Sequence, residues 1–247
     1  MKENYIYGRN PVLEVLKSGG DIDKIYMLKS SGDGASKKIL SMAKESGVVV
    51  TRTDDKKLEN MAGTKNHQGV VALVTDFEYS TIDEILEYAN EKNEDPFVVI
   101  LDSIEDTHNL GAIIRSAEAA GVHGVIIPKR RSAMVNKTVY KTSAGAVEYM
   151  KVAKVTNIAR TIEELQEKGL WIYGADMEGR DMYYDTDLTG NIGLVIGGED
   201  KGISPLIAKK CDVLVKIPMT GKISSLNASA SAAILIYDII RQRNKKI

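Results

Sequence analysis

Short runs of valine, isoleucine and leucine alternate along this chain with segments whose apolar residues return every three or four positions. The runs predict buried strands, and the spaced segments predict amphipathic helices packed against them. Over residues 1–76, NPVLEVLKSG predicts a helix with Val12, Leu13 and Leu16 on one side and a stop at Gly19-Gly20. IDKIYML then reads as a strand, ASKKILSMAKESG as a helix with Ile39, Leu40 and Ala43 inward, and VVVTRT as a strand. DKKLENMAG reads as a short helix and GVVALVTDF as a strand, which together make a small α/β unit. Residues 77–95 hold a helix-like, acidic stretch without strand pattern that ends at Asp95-Pro96, and they are expected to be a linker.

From Pro96 the rhythm restarts and spans residues 96–247 as a second, larger domain. FVVILDSI is a strand, Asp106 to Ala120 a helix, GVIIP a strand, and NKTVYKTSAGAVEYM a mixture of helix and loop. MKVAKV, LWIYGAD, GNIGLVIGG and VLVKIPM read as strands; NIARTIEELQEKG, SPLIAKKCD and Asn227 to Arg243 read as helices. The alternation predicts an α/β fold, mostly parallel, with helices on both faces of the sheet.

Two of these strands matter most. The runs at 192–196 and 213–217 each end in a loop of small and polar residues. The first loop holds Gly197, Gly198, Glu199 and Gly202; the second holds Pro218, Gly221, Ser224, Ser225 and Asn227 and opens into an alanine- and serine-rich helix. Parallel strands bind ligands beyond their carboxyl ends, so both loops are expected to face one cleft. On the helix after 102, Leu110, Ile113, Ile114 and Ala117 share one stripe, while Gly111, Ala112, Arg115 and Ala119 fall opposite. Arg115 would thus stand on a face of small residues open to a ligand or another subunit, with Asn109 at the helix start, where it could also serve as a cap. Ser224, Ser225 and Asn227 lie where they could cap the last helix or present hydrogen-bonding groups beside its positive end.

Composition narrows the chemistry. The 247 residues are 43% hydrophobic and 27% charged, with a net charge of −1, an ordinary soluble profile rather than that of a globally basic nucleic-acid binder. Any attraction to RNA must be local, and Lys129-Arg130-Arg131, followed by Lys137 and Lys141, is the candidate; a solvated loop is the alternative. A single cysteine, Cys211, suits a reducing cytoplasm. No apolar run is long enough for a membrane span, and no signal-peptide core is present at the amino terminus. His67, His108 and His123 lack metal-ligand spacing, so no metal is expected. Gly32-Asp33-Gly34 lacks the spacing of a phosphate loop, and the 197–202 loop does not match the dinucleotide pattern, which disfavours a nicotinamide oxidoreductase.

Taken together, N-L-G-A-I-I-R (109–115), G-G-E-D-K-G (197–202) and I-P-M…S-L-N-A-S (217–229) occur in an order and spacing that resembles the three motifs of the TrmH/SpoU family of RNA 2′-O-ribose methyltransferases. YGRNPVLEVL and HQGVVALV resemble that family's small substrate-binding domain, found in the RlmB-type branch that methylates a guanosine ribose in large-subunit ribosomal RNA. The resemblance implies an RNA-binding domain at 1–76, a deep trefoil knot of SPOUT type in the larger domain, S-adenosylmethionine as cofactor and a homodimer. By position it implies cofactor contacts from Gly197, Ile217 and Leu226, with Gly198 and Met219 as neighbours. Asn109, Arg115, Glu199, Ser225 and Asn227 match the family's polar catalytic positions: Asn109 to hold Arg115 or the ribose, Glu199 to order its loop, Ser225 and Asn227 to bind cofactor or nucleotide. The family assigns the matching arginine to activation of the nucleophile, but a guanidinium stays charged at neutral pH and serves better as a phosphate clamp than as a base. Asp200-Lys201 depart from the smaller residues common in the second motif. The same chemistry on transfer RNA, and a non-catalytic RNA-binding assembly factor, are the competing readings.

Overall fold

The two rhythms become two sheets. A computed structural model describes residues 4–18, 22–74, 77–199 and 201–244. The chain divides into two compact units: Met1–Glu78 with the short piece Met134–Lys137, and Tyr79–Ala133 with Thr138–Ile247.

The first unit contains β1 (Asn4–Tyr7), α1 (Arg9–Ser18), β2 (Ile22–Leu28), α2 (Gly34–Ser46), β3 (Val49–Thr53), α3 (Asp55–Ala62) and β4 (Val70–Val74). Its sheet runs β1-β4-β2-β3, with β2 and β3 parallel and the other pairs antiparallel. β1 was not expected, because four residues with only partial burial carry no readable period. The apolar stripe of α1 packs with Ile25, Met27, Ile39, Ala43, Val70 and Ala72. The Gly32-Asp33-Gly34 turn serves α2: the Asp33 carboxylate accepts from the Ser36 N–H at 2.9 Å. The expected stop at Gly19-Gly20 lies outside the described residues.

The second unit continues with α4 (Ile82–Glu91), β5 (Phe97–Asp102), α5 (Thr107–Ala119), β6 (Gly124–Pro128), α6 (Lys137–Thr142), β7 (Val152–Val155), α7 (Ile158–Glu167) and β8 (Trp171–Ala175). It closes with β9 (Asp181–Met182), β10 (Ile192–Gly197), α8 (Pro205–Ala208), β11 (Val213–Lys216) and α9 (Ala228–Asn244). Every pairing in its seven-stranded sheet, β7-β6-β5-β10-β8-β11-β9, is parallel. All strands therefore point their carboxyl ends to one edge. The chain runs outward from β5 to β7 and resumes across the sheet at β8, so a topological switch point lies beside β10. Residues of α4, α7 and α8 share a core with Val98, Ile100, Ile126, Ile172 and Val195. By strand alternation, Val99, Leu101, Leu194 and Ile196 face the other side, where α5 packs against α9.

The segment expected as a linker holds α4, and α4 is part of the second unit's core. Ile85 and Ala89 are fully buried. Gly124 of β6 leaves the space for Ile85; a Cβ there would lie 2.5 Å from the Ile85 side chain. Acidic residues on the outer face of α4 disguised this inner stripe.

A buried histidine joins β5 to β6. The Phe97 N–H donates to His123 Nδ1 at 2.9 Å, so the ring carries its proton on Nε2, 3.0 Å from the Glu94 carboxylate. Burial holds the imidazole below its ordinary value, against the upward pull of Glu94. The folded state thus binds the proton less readily than the unfolded chain. The stabilisation is complete above about pH 6.5 and is lost as pH falls from there through the lowered folded value. Thermal melting should fall between pH 7.5 and pH 5.5, and the fall should shrink in His123→Gln; an equal fall in both proteins would exclude His123 as its source.

Candidate functional site

β10 ends in a turn with no room for side chains. A Cβ on Gly197 would lie 2.0 Å from the backbone carbon of Gly202, and one on Gly198 would lie 2.4 Å from the carbonyl oxygen of Ser103. The loop is closed by its own backbone, with the Gly202 N–H donating to the Gly198 carbonyl at 2.9 Å. Glu199, expected to order the loop, is exposed and lines the cleft. Asp102, at the carboxyl end of β5, is buried and accepts from the Ser204 N–H at 2.8 Å, which ties the far end of the loop to the neighbouring strand. Asp200 lies outside the described residues.

Around this turn lies a cleft of about 360 Å³. Gly197, Gly198, Ile217, Met219 and Leu226 all line it, as do Glu199 and Ser225. The loops after β10 and β11 therefore meet, as the strand pattern led us to expect. Its walls are apolar at Ile196, Val215, Ile217 and Leu226 and negative at Asp176 and Glu199, with Lys201 as a cation. Ala175, Asp176 and Met177 were missed by the sequence reading. Their signal was position alone: Ala175 ends β8, the strand between β10 and β11, and Asp176 and Met177 follow it directly.

Asn109, Arg115 and Asn227 are not among the cleft-lining residues. Asn227 precedes α9, and its side-chain oxygen accepts from the Ser229 N–H at 2.9 Å, as a cap does. Its side-chain nitrogen donates to Asn109 Oδ1 at 3.0 Å. This pair joins the start of α9, whose Ala228 lines the cleft, to the first turn of α5. The cap of α5 is Asp106, which accepts from the His108 N–H at 2.8 Å, leaving Asn109 buried within the first turn. Ser224 and Ser225 do not cap α9; they are exposed at the cleft. Arg115 is exposed six residues beyond Asn109, about 9 Å along the helix axis. Gly111, expected on the open face with Arg115, is buried: a Cβ there would lie 1.9 Å from Thr142 Oγ1. Its smallness admits the last residue of α6, not a ligand.

Asp55, Glu59 and His67 of the first unit are the one group of potential metal ligands among the described residues. Their hydrogen bonding opposes a metal. The Gly69 N–H donates to His67 Nδ1 at 3.1 Å, so the neutral ring holds its proton on Nε2, 3.5 Å from Asp55, and has no lone pair there for a cation.

Comparison with known proteins matches two family models to successive parts of the chain. The SpoU rRNA Methylase family model matches residues 96–237, and the model for RNA 2′-O ribose methyltransferase substrate binding matches residues 5–80. The TrmH family protein YacO of Bacillus subtilis (strain 168) is 45% identical over 243 residues, covering 98% of this chain and 97% of that protein. Among solved structures, the SpoU methyltransferase AviRb of Streptomyces viridochromogenes, crystallised with the cofactor AdoMet, superposes with a TM-score of 0.61 at 25% identity, covering 98% of this chain and 91% of its own. An A. aeolicus TrmH/SpoU tRNA modifying enzyme reaches a TM-score of 0.57 at 28% identity, covering 62% of this chain and 78% of its own. The second unit shares the knotted SPOUT-type sheet of these neighbours, an exception to the rule against threaded chains.

Gly197→Ala and Gly198→Ala should each destabilise the protein by about 1–3 kcal/mol or more, since backbone must move to admit the methyl group. Gly221→Ala, with open space around it, should be neutral. Asn227→Ala removes a cap and strands the buried Asn109 amide, so it should cost about 1–2 kcal/mol. Denaturant unfolding of the four variants checks the order; equal midpoints for Gly197→Ala and Gly221→Ala would refute the close-approach argument.

Proposed function

The chain belongs to the SpoU rRNA methylase family, and from that premise we propose that it methylates the ribose 2′-OH of a guanosine in large-subunit ribosomal RNA. It is an S-adenosylmethionine-dependent RNA methyltransferase. The observation that supports methyl transfer is the convergence of the 197–202 loop, Ile217–Met219 and Leu226 on one cleft whose rim the Asn227–Asn109 pair joins to the helix bearing Arg115; the ribosomal guanosine rests on the SpoU rRNA methylase and substrate-binding family models and the RlmB-type resemblance of the motifs.

The cleft fits the cofactor. A volume of about 360 Å³ is within the range of small-molecule sites, and apolar walls with a few polar groups suit an adenosyl ring system. When bound, S-adenosylmethionine supplies a methyl group activated on a positive sulfonium. Gly197, Gly198, Ile217, Met219 and Leu226 would hold it, largely through backbone groups. Asp176 and Glu199 give the cleft negative charge, which complements a positive cofactor more than its neutral thioether product.

The remaining side chains must place a ribose and stabilise the loss of its proton. Arg115 would clamp a phosphate of the substrate strand and so orient O2′. Asn109 and Asn227 position the two helices rather than touch the reacting atoms, because they satisfy each other. Ser225, exposed at the cleft, is free to bind cofactor or nucleotide. We assign residues 1–76 to substrate binding, on the strength of the second family model and of the smaller share of this chain that the tRNA modifying enzyme matches.

The homodimer reading has its own support. Ala230, Ile234 and Tyr237 form an exposed apolar stripe on α9, which packs on α5 with its exposed Arg115 and Ala119. A second copy covering that stripe would bring its own Arg115 face close to the first. Among the described residues no helix is long and apolar enough to cross a membrane, and a cytoplasmic location fits an RNA substrate.

The test is methyl transfer from labelled S-adenosylmethionine to unmethylated ribosomal RNA, with transfer RNA in parallel, followed by alkaline hydrolysis. A 2′-O-methyl group blocks attack on the adjacent phosphate, so label should appear in alkali-resistant dinucleotides from ribosomal RNA only. Label from transfer RNA would redirect the substrate, and label in mononucleotides would sink ribose methylation. Arg115→Ala should lower turnover by at least ~100-fold while cofactor binding, followed by calorimetry, is unchanged. Wild-type turnover in that variant would refute the clamp.

A further inference from the structure

Resting on the RNA reading above, we propose that the loop at 129–131 is a phosphate-binding rail that holds the RNA strand flanking the reacting ribose. Lys129-Arg130-Arg131 is the only place in the sequence where three basic residues are consecutive, in a chain whose net charge is −1. All three side chains are exposed, and among the described residues none makes an ion pair with a carboxylate. Exposed cations in most proteins of balanced charge are interspersed with acids; here three like charges are held side by side, at a cost in mutual repulsion that an incoming polyanion would relieve.

The loop is also fixed in place. The Lys129 N–H donates to the Val155 carbonyl at 2.8 Å, and the Ala133 N–H donates to the Ile104 carbonyl at 2.7 Å. Between these anchors Arg131 adopts a left-handed conformation with φ 55°, uncommon for a side chain of its size. Backbone strain in a pinned loop indicates that the direction of its side chains is set.

Its position faces the chemistry. Gly197 is level with Asp102 in the sheet, and Ile100 of the same strand is level with Ile126 of β6. The end of β6 at Pro128 thus stands at the same edge as the end of β10, two strands away. That is about 10 Å from the glycine turn that borders the cofactor cleft. Arg115, on the helix that connects β5 to β6, would take one phosphate, and the rail those farther along the same strand. Phosphate contacts of this kind position a substrate without reading its bases. The rail therefore governs affinity and its salt dependence, while the cleft governs the reaction.

The experiment uses the full chain with Lys129→Gln, Arg130→Gln and Arg131→Gly combined, the glycine being chosen because it accepts the left-handed backbone. Binding of large-subunit ribosomal RNA transcribed in vitro is measured by filter retention across a salt series, and S-adenosylmethionine binding by calorimetry. The salt slope of log K should fall by about 2, three contacts at roughly 0.7 each, and Kd should rise roughly ten- to a hundredfold at ~0.1 M salt. Cofactor affinity and turnover at saturating RNA should stay at wild-type values. Arg131→Gly alone should show about one third of the slope change, so damage to the triple variant's fold does not hide the result. Wild-type slope and Kd in both variants would overturn the rail alone, whereas a wild-type protein that binds cofactor but no RNA would overturn the substrate reading beneath it.

Discussion

Two stretches of backbone approach each other at the end of β10 more closely than any side chain permits, and the site follows from that contact. Gly197 lies against Gly202 and Ile203, and Gly198 lies against the Ser103 carbonyl. The turn is consequently made of peptide groups, and the edge of the sheet presents backbone donors and acceptors where another protein would present side chains. Asp102 fixes the returning loop through Ser204, and the cleft opens on the opposite flank toward Ile217 and Leu226. A cofactor held mainly by backbone would be held by shape.

Charge is distributed in the same economical way. The cleft carries the carboxylates of Asp176 and Glu199 beside the Lys201 cation, whereas exposed cations stand at 129–131 beyond the end of β6 and at Arg115 along α5. A positive cofactor in the cleft and a negative strand on these cations would meet fields of opposite sign within one protein of nearly zero net charge. Global composition averages these regions away, so the balance of acids and bases understated the case for RNA.

Legibility in the sequence followed the range of the interactions. Helices α1, α2 and α7 were readable because their apolar stripes are local, and the caps at Asp33 and Asn157 are set within three residues. The convergence of two loops was readable because parallel strands impose it. Features set by distant partners were not. Gly111 faces Thr142, Gly124 faces Ile85, and Asn109 faces Asn227; in each case the residue's own neighbours suggest a different role. Asp176 and Met177 carry no motif at all and enter the cleft only because β8 lies between β10 and β11. The knot is the extreme case. Threading leaves no trace in periodicity, and only resemblance to a known family raised it.

The same long range has a consequence for how the site forms. The bond from Ser204 to Asp102 spans 102 residues, and that from Asn227 to Asn109 spans 118. Neither can stabilise an early, local piece of structure, since the loop-closure entropy comes first and the bond comes after. The glycine turn, the cleft and the docking of α9 must then arise together, once β5, β8 and β10 are side by side. A substitution that loosens any one of the three weakens the others, and activity in this protein is tied to completion of the fold more closely than in an enzyme whose site rests on one helix or one hairpin.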